Sequence, residues 1–110
     1  MKITSLDKIR ELAVSHNPKI KKKVMIPPGE AGELVYFSQA YFPAGEVVPA
    51  HTHEDMGEMF LVQSGKGEIL INDQSFQFIP GVCVLVEPGE SHEIRNTGDE
   101  MLVVTYMGIK

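Results

Sequence analysis

Beyond residue 18, proline and glycine interrupt this chain so often that no long helix can form. They cluster at Pro27-Pro28-Gly29, Pro43-Ala44-Gly45, Gly65-Lys66-Gly67, Pro80-Gly81 and Pro88-Gly89. Proline lacks the N–H that a helix interior needs, and glycine loses the most backbone freedom on ordering, so these clusters read as turns. The runs between them, at 34–42, 59–62, 68–71, 82–86 and 101–107, are rich in Val, Ile, Phe, Tyr and Leu. Such side chains suit a pleated, half-buried surface. Many short strands between regular turn signals predict an all-β chain, folded as an antiparallel sandwich or barrel. Residues 75–79 are expected to pair with 68–71 across Asn72-Asp73-Gln74.

Two segments flank this pattern. Leu6, Ile9, Leu12 and Ala13 recur at helical spacing behind a Thr4/Asp7 cap, which predicts a short helix over 4–14, stopped by Asn17-Pro18. His16, at its end, is expected to satisfy the last helical carbonyls. This helical segment, 1–18, is expected to pack on a barrel formed by 19–110. Residues 19–26 carry the one strong charge run. They read as an edge strand with Ile20, Val24 and Ile26 on one face and Lys21 and Lys23 on the other.

A chain of 110 residues suits one domain with one core. Fifteen acidic against ten basic residues give a net charge of −5, which argues against a nucleic-acid or anionic-membrane partner. No apolar run approaches the ~18 residues of a membrane span, and charges at residues 7–11 break up any secretion signal, so a cytoplasmic location is expected. One cysteine, Cys83, excludes an intrachain disulfide and a multi-cysteine metal site; its apolar run predicts a buried, inert thiol.

Three of the four histidines lie in two short stretches. His51 and His53 are two apart, so on an extended strand they share a face. Glu58 follows after a polar stretch ending in Gly57 that can turn the chain back. Across Pro88-Gly89, His92 opens another strand, with Ile94 and Asn96 on its side and Glu93 on the other. Phe60, Val62 and Ile94 are expected to wall the polar cluster. Three imidazoles and a carboxylate suit a divalent first-row metal, so His51, His53, Glu58 and His92 are candidate ligands.

The spacing Gly45-x5-His51-x-His53-x4-Glu58-x6-Gly65 resembles the first motif of the cupin superfamily. Gly81, Gly89, His92 and Asn96 are similar to the second motif, with Glu87 where proline is usual and Pro88 next to it. The resemblance implies a small jelly-roll barrel that holds one divalent transition metal per chain through His51, His53, Glu58 and His92. Iron or manganese is favoured, with zinc, nickel, copper or cobalt as alternatives. It also implies either a metalloenzyme of dioxygenase, decarboxylase or isomerase type acting on an oxygen-rich small molecule, or a non-catalytic small-molecule binding or sensor module. A homodimer is expected, with 19–26 able to add a strand to a neighbour's sheet. Met56 and Met59 bracket Glu58 and are read as packing residues. Arg95 is a candidate anion anchor only if the barrel opens on its side. The faces taken by Tyr36, Tyr41, Tyr106 and Gln63 stay open. No nucleophile–base pair stands out, because Ser91 and His92 are adjacent and face opposite ways.

Overall fold

Alternation of apolar and polar side chains builds ten antiparallel strands, described for all residues, Met1–Lys110, in a computed structural model. They are β1 (Leu12–Val14), β2 (Asn17–Ile26), β3 (Leu34–Phe42), β4 (Val47–Thr52), β5 (Gly57–Ser64), β6 (Gly67–Ile71), β7 (Gln74–Phe78), β8 (Cys83–Val86), β9 (Ser91–Asn96) and β10 (Leu102–Ile109). A six-stranded sheet runs β1-β2-β3-β10-β5-β8, and a four-stranded sheet runs β4-β9-β6-β7. The two pack as a jelly-roll barrel around one apolar core. Ile20, Phe42, Phe60 and Val104 enter it from the larger sheet, and Ile69, Phe78 and Ile94 from the smaller. No helix is long and apolar enough to cross a membrane.

The turns follow the local chemistry. Asn72 and Asp73 adopt positive φ values of 48° and 68° and close the β6–β7 hairpin as a two-residue loop. Gln74, expected in the turn, instead pairs with Ile71. Asn and Asp tolerate this left-handed region better than other non-glycine residues, which makes them suited to such hairpins. Gly65 has φ +90°, and a Cβ there would lie 2.5 Å from the Met101 carbonyl oxygen, so no larger residue fits. At Glu87-Pro88-Gly89-Glu90, the Glu90 N–H donates to Glu87 O at 3.2 Å while Gly89 holds φ +87°. Proline second and a left-handed glycine third match a type II turn, so the glutamate at position 87 leaves that turn intact.

The N-terminal expectation fails. Only Leu6–Lys8 winds into a 3-10 turn, and Leu12–Val14 is a strand paired with β2 through Leu12↔Lys22 and Ala13↔Lys21. A helix of three turns or fewer is marginal without a packed face, and pairing with β2 outcompetes it. Asn17-Pro18 therefore begins a strand rather than ending a helix. β2 is not the sheet edge either, because β1 covers its first half and closes that part to strand addition by a neighbour. Cys83 is exposed, contrary to the expected burial. In β8, Val86 is buried and Val84 half-buried, which leaves Cys83 and Leu85 on the outer face.

Asn96 ties the end of β3 to the β9–β10 connection from inside the barrel. Its Nδ2 donates to Phe42 O at 2.8 Å and Glu100 O at 2.7 Å, and its Oδ1 accepts from Gly98 N–H at 2.9 Å. Asn96→Ala orphans these backbone groups, so the metal-free chain should lose about 2–3 kcal/mol of stability. Thermal denaturation checks this; an unchanged midpoint would show that the clamp is dispensable.

Candidate metal centre

The four histidine and glutamate side chains singled out by spacing come together where the chain crosses between sheets. His51 lies on β4 directly opposite His92 on β9, both in the four-stranded sheet. Glu58 projects from β5 of the six-stranded sheet. His53 sits in the short connection that carries the chain from β4 to β5. Each of the four offers a ligating atom within 4.8 Å of the others, and the group could hold a metal ion.

His51 depends on a bulge. Val48 pairs with Ile94 and His51 with His92, so two residues of β4, Pro49 and Ala50, oppose one on β9, Glu93. The extra residue, at Pro49-Ala50, reverses the alternation: Val48 is buried, Pro49 and Ala50 are exposed, and His51 turns inward again. Proline suits a bulge because it has no N–H to leave unpaired. The freed Ala50 N–H donates to Glu93 Oε1 at 3.2 Å, and Arg95 Nε holds the other Glu93 oxygen at 2.5 Å. Glu93 thus faces away from the cluster yet supports its geometry. Arg95 stays on the outside with Glu93 and Glu68 and does not reach the interior.

Each ligand's second contact orients it. His51 Nδ1–H donates to Pro49 O at 2.9 Å, which leaves the Nε2 lone pair free for the cluster. Burial lowers the His51 pKa, and neighbouring His92, His16 and His53 lower it further against that carbonyl contact, so the ring is neutral near pH 7. His92 sets Nδ1 3.3 Å from Glu90 O and Nε2 2.9 Å from Glu58 Oε1. His53 Nε2 lies 3.1 Å from the same Oε1. Two imidazole nitrogens converge on one carboxylate oxygen, an arrangement that N–H donation satisfies without a metal and that a divalent cation can replace by ligating all three groups. The donor set therefore fits a first-row metal.

Glu58 is 5% exposed. Burial alone would raise its pKa; hydrogen bonds from His92 and Tyr36, with the charges of His53 and His92, outweigh it and hold the carboxyl below its ordinary value. The Tyr36 hydroxyl donates to Glu58 Oε2, leaving Oε1 to face the histidines. Burial, then the Glu58 charge and hydrogen bond, push the Tyr36 phenol far above its usual pKa, so it remains a donor. Burial and Glu58 push Tyr106 up to about 12, against the nearby Ser38 hydroxyl.

The cluster opens into a cavity of about 320 Å³ between the sheets. Phe60 and Ile94 wall it as expected, whereas Val62 packs in the core instead. Tyr36 and Tyr106 line it; Tyr41 and Gln63 do not, their side chains bonding to Gln39 and Thr105. Met56 is part of the wall, contrary to the packing role expected of it, while Met59 is not. His16 caps no helix: it lies in the β1–β2 turn, its ring 4.5 Å from that of His51, centroid to centroid. Asn17 ties that turn to β4 through Val47 O at 2.9 Å. Lys22 and Ser38 also line the cavity, unforeseen from the sequence. The signal for Lys22 was present, since it lies two residues from both Ile20 and Val24 and so shares their face.

Removing the hydroxyl in Tyr36→Phe leaves Glu58 Oε2 without its donor. The loss of such an outer contact typically weakens metal affinity about 10–100-fold while one ion per chain still binds at saturation. Competition titration against a chelator measures this; an unchanged affinity would show that Tyr36 does not hold the carboxylate.

Comparison with solved structures places the architecture among known barrels. A predicted oxalate decarboxylase from Thermotoga maritima superposes with a TM-score of 0.90 over 98% of each chain, at 23% identity. A sugar phosphate isomerase from Silicibacter pomeroyi gives 0.84 at 15% identity, covering 99% of this chain and 76% of that one. By sequence, an uncharacterized protein of Methanocaldococcus jannaschii is 24% identical over 92% of this chain and 80% of its own length. The oxalate-binding protein of Thermotoga maritima is 32% identical, but the match covers 57% of this chain and 52% of that protein. The Cupin_2 family model, described as a cupin domain, matches residues 38–108, which include every ligand candidate and all strands from β4 to β9, and the chain belongs to that family.

Proposed function

We propose that this cupin binds one divalent transition metal through His51, His53, Glu58 and His92 and uses it as a metalloenzyme acting on a small, oxygen-rich molecule. The observation that carries this reading is the opening of the ligand cluster into the cavity. Structural metal sites are closed by their protein ligands, whereas catalytic ones keep positions for exogenous oxygen donors. A bound iron or manganese ion would supply Lewis-acid or redox chemistry to an oxidation, decarboxylation or isomerisation. Tyr106 and Tyr36 stay protonated, so Tyr106 can donate a hydrogen bond to a ligand while Tyr36 fixes Glu58. Phe60, Ile94 and Met56 exclude water from one side of the site.

A binding module without turnover is the second reading. Glu58 is the only carboxylate that lines the cavity, so no second acid–base carboxylate stands beside the ligands. The partly matching oxalate-binding protein of Thermotoga maritima supports this reading by its name. A homodimer remains part of the proposal; with β1 covering the first half of β2, strand addition along β2 itself is confined to its second half.

Titrating the cobalt-loaded chain with oxalate tests the open site directly. The visible spectrum of the metal should change on addition and should not do so in His92→Ala. A spectrum indifferent to oxalate and to other small chelating oxyanions would overturn the open-site reading. Substrate-dependent consumption of oxygen, or release of product, by the iron- or manganese-loaded chain then separates enzyme from binder.

A further inference from the structure

Lys22 is the one lysine or arginine that lines the cavity. It pairs across the β2–β3 ladder with Ala40, and Val24 pairs with Ser38. Residues opposite one another across a ladder share a face. Ala40 and Ser38 are 4% and 1% exposed, so that face is the interior. The neighbouring lysines are engaged: Lys21 Nζ donates to Pro18 O and Lys23 Nζ to Leu6 O, each at 2.7 Å. Lys22 is half-buried as a residue, and its ammonium has no hydrogen bond and no ion pair of its own.

Ser38 is a second unmatched group on the same wall. Its Oγ is buried and makes no hydrogen bond of normal geometry, although it lies close enough to Tyr106 to affect that phenol. Lys22 and Ser38 are diagonal neighbours on adjacent strands, within reach of one ligand group. A buried hydroxyl without a partner, as at Ser38, is costly unless a ligand completes it, and the Lys22 ammonium is free to pair with the same ligand. Both groups donate, which suits an anion with several acceptor oxygens.

Charge in the cavity points the same way. Its single carboxylate, Glu58, is already engaged by His53, His92 and Tyr36. Lys22 is therefore an uncompensated positive charge inside a chain of net charge −5, and a divalent metal adds to it. Arg95, the anchor weighed from sequence, is held outside by Glu93 and Glu68. A volume of about 320 Å³ is at the small end for ligand pockets, which favours a molecule of a few carbons.

We infer that Lys22 and Ser38 form an anion subsite that holds one carboxylate of a small diacid, whose other end reaches the histidine–glutamate cluster. This inference rests on the proposed metal centre and adds a substrate class to it. The diacid's distal carboxylate accepts from the Lys22 ammonium and the Ser38 hydroxyl; its near oxygens face the metal.

Calorimetric titration of the zinc-loaded, redox-inert chain tests this with two keto acids of equal length. 2-Oxoglutarate carries a carboxylate at its far end, and 2-oxopentanoate a methyl group. The wild-type chain should bind the former about ten-fold more tightly, the scale of one charge-assisted hydrogen bond. Lys22→Met should abolish that preference and leave 2-oxopentanoate binding nearly unchanged, while Lys22→Arg retains most of it. Ser38→Ala should remove a smaller part, about three-fold. Equal affinity of the wild type for both acids, no binding of either, or an equal loss for both in Lys22→Met would overturn the subsite. The wild-type comparison alone decides the matter should Lys22→Met fail to fold. Zinc content measured on the same samples separates the two levels: a chain that takes up no zinc overturns the metal centre itself, and a zinc-loaded chain without diacid preference overturns only the subsite.

Discussion

A carboxylate buried between two sheets constrains the arrangement of everything around it. Glu58 is 5% exposed, and an ionised carboxylate so placed costs several kcal/mol unless its oxygens are matched. The matching groups come from distant parts of the chain: Tyr36 from β3, His53 from the β4–β5 connection and His92 from β9. Glu58 thereby joins the six-stranded sheet to the four-stranded one at the point where the chain passes between them. Its two oxygens have different tasks, Oε2 accepting from Tyr36 and Oε1 facing the histidines. Burial of both tyrosines keeps their hydroxyls protonated, so the Oε2 contact persists across the physiological range.

Groups on the outer surface help to shape the interior. The bulge at Pro49-Ala50 lets His51 face His92, and it is held from outside by Glu93, itself fixed by Arg95. The β1–β2 turn brings His16 over His51, anchored by Asn17 on β4. Gly89 N–H donates to His53 O at 2.8 Å, which ties the turn before β9 to the third histidine. The Pro88-Gly89 turn and an exterior ion pair thus both act on the same cluster. The cavity wall carries two groups of polar side chains: the histidine–glutamate cluster with Tyr36, and farther along the β2 and β3 strands Lys22 and Ser38.

Much of this was legible in the sequence because spacing encodes it directly. His51 and His53 share a face by simple alternation, Gly57 marks the start of the next strand, and Pro88-Gly89 delivers His92. Turn chemistry likewise located most of the strands. What escaped depended on pairing at long range. Leu6, Ile9 and Leu12 have helical spacing, but the partner available to Leu12–Val14 is β2, and a short apolar pattern does not outweigh a ladder. Cys83 sits in a continuous apolar run whose parity nothing local defines, and the sheet turns it outward. Lys22 was concealed by its neighbours: within a run of lysines, a lysine on the same face as Ile20 and Val24 is easily read as solvated. The bulge could not be anticipated, since it appears only when β4 and β9 are aligned.

Crystals of the chain grown with manganese or zinc, measured at wavelengths where that metal scatters anomalously, test the central claim most directly. The account predicts one strong anomalous peak per chain, in contact with His51, His53, Glu58 and His92. A metal-soaked crystal with no peak among these four side chains, or with ions bound only on the surface, would contradict it.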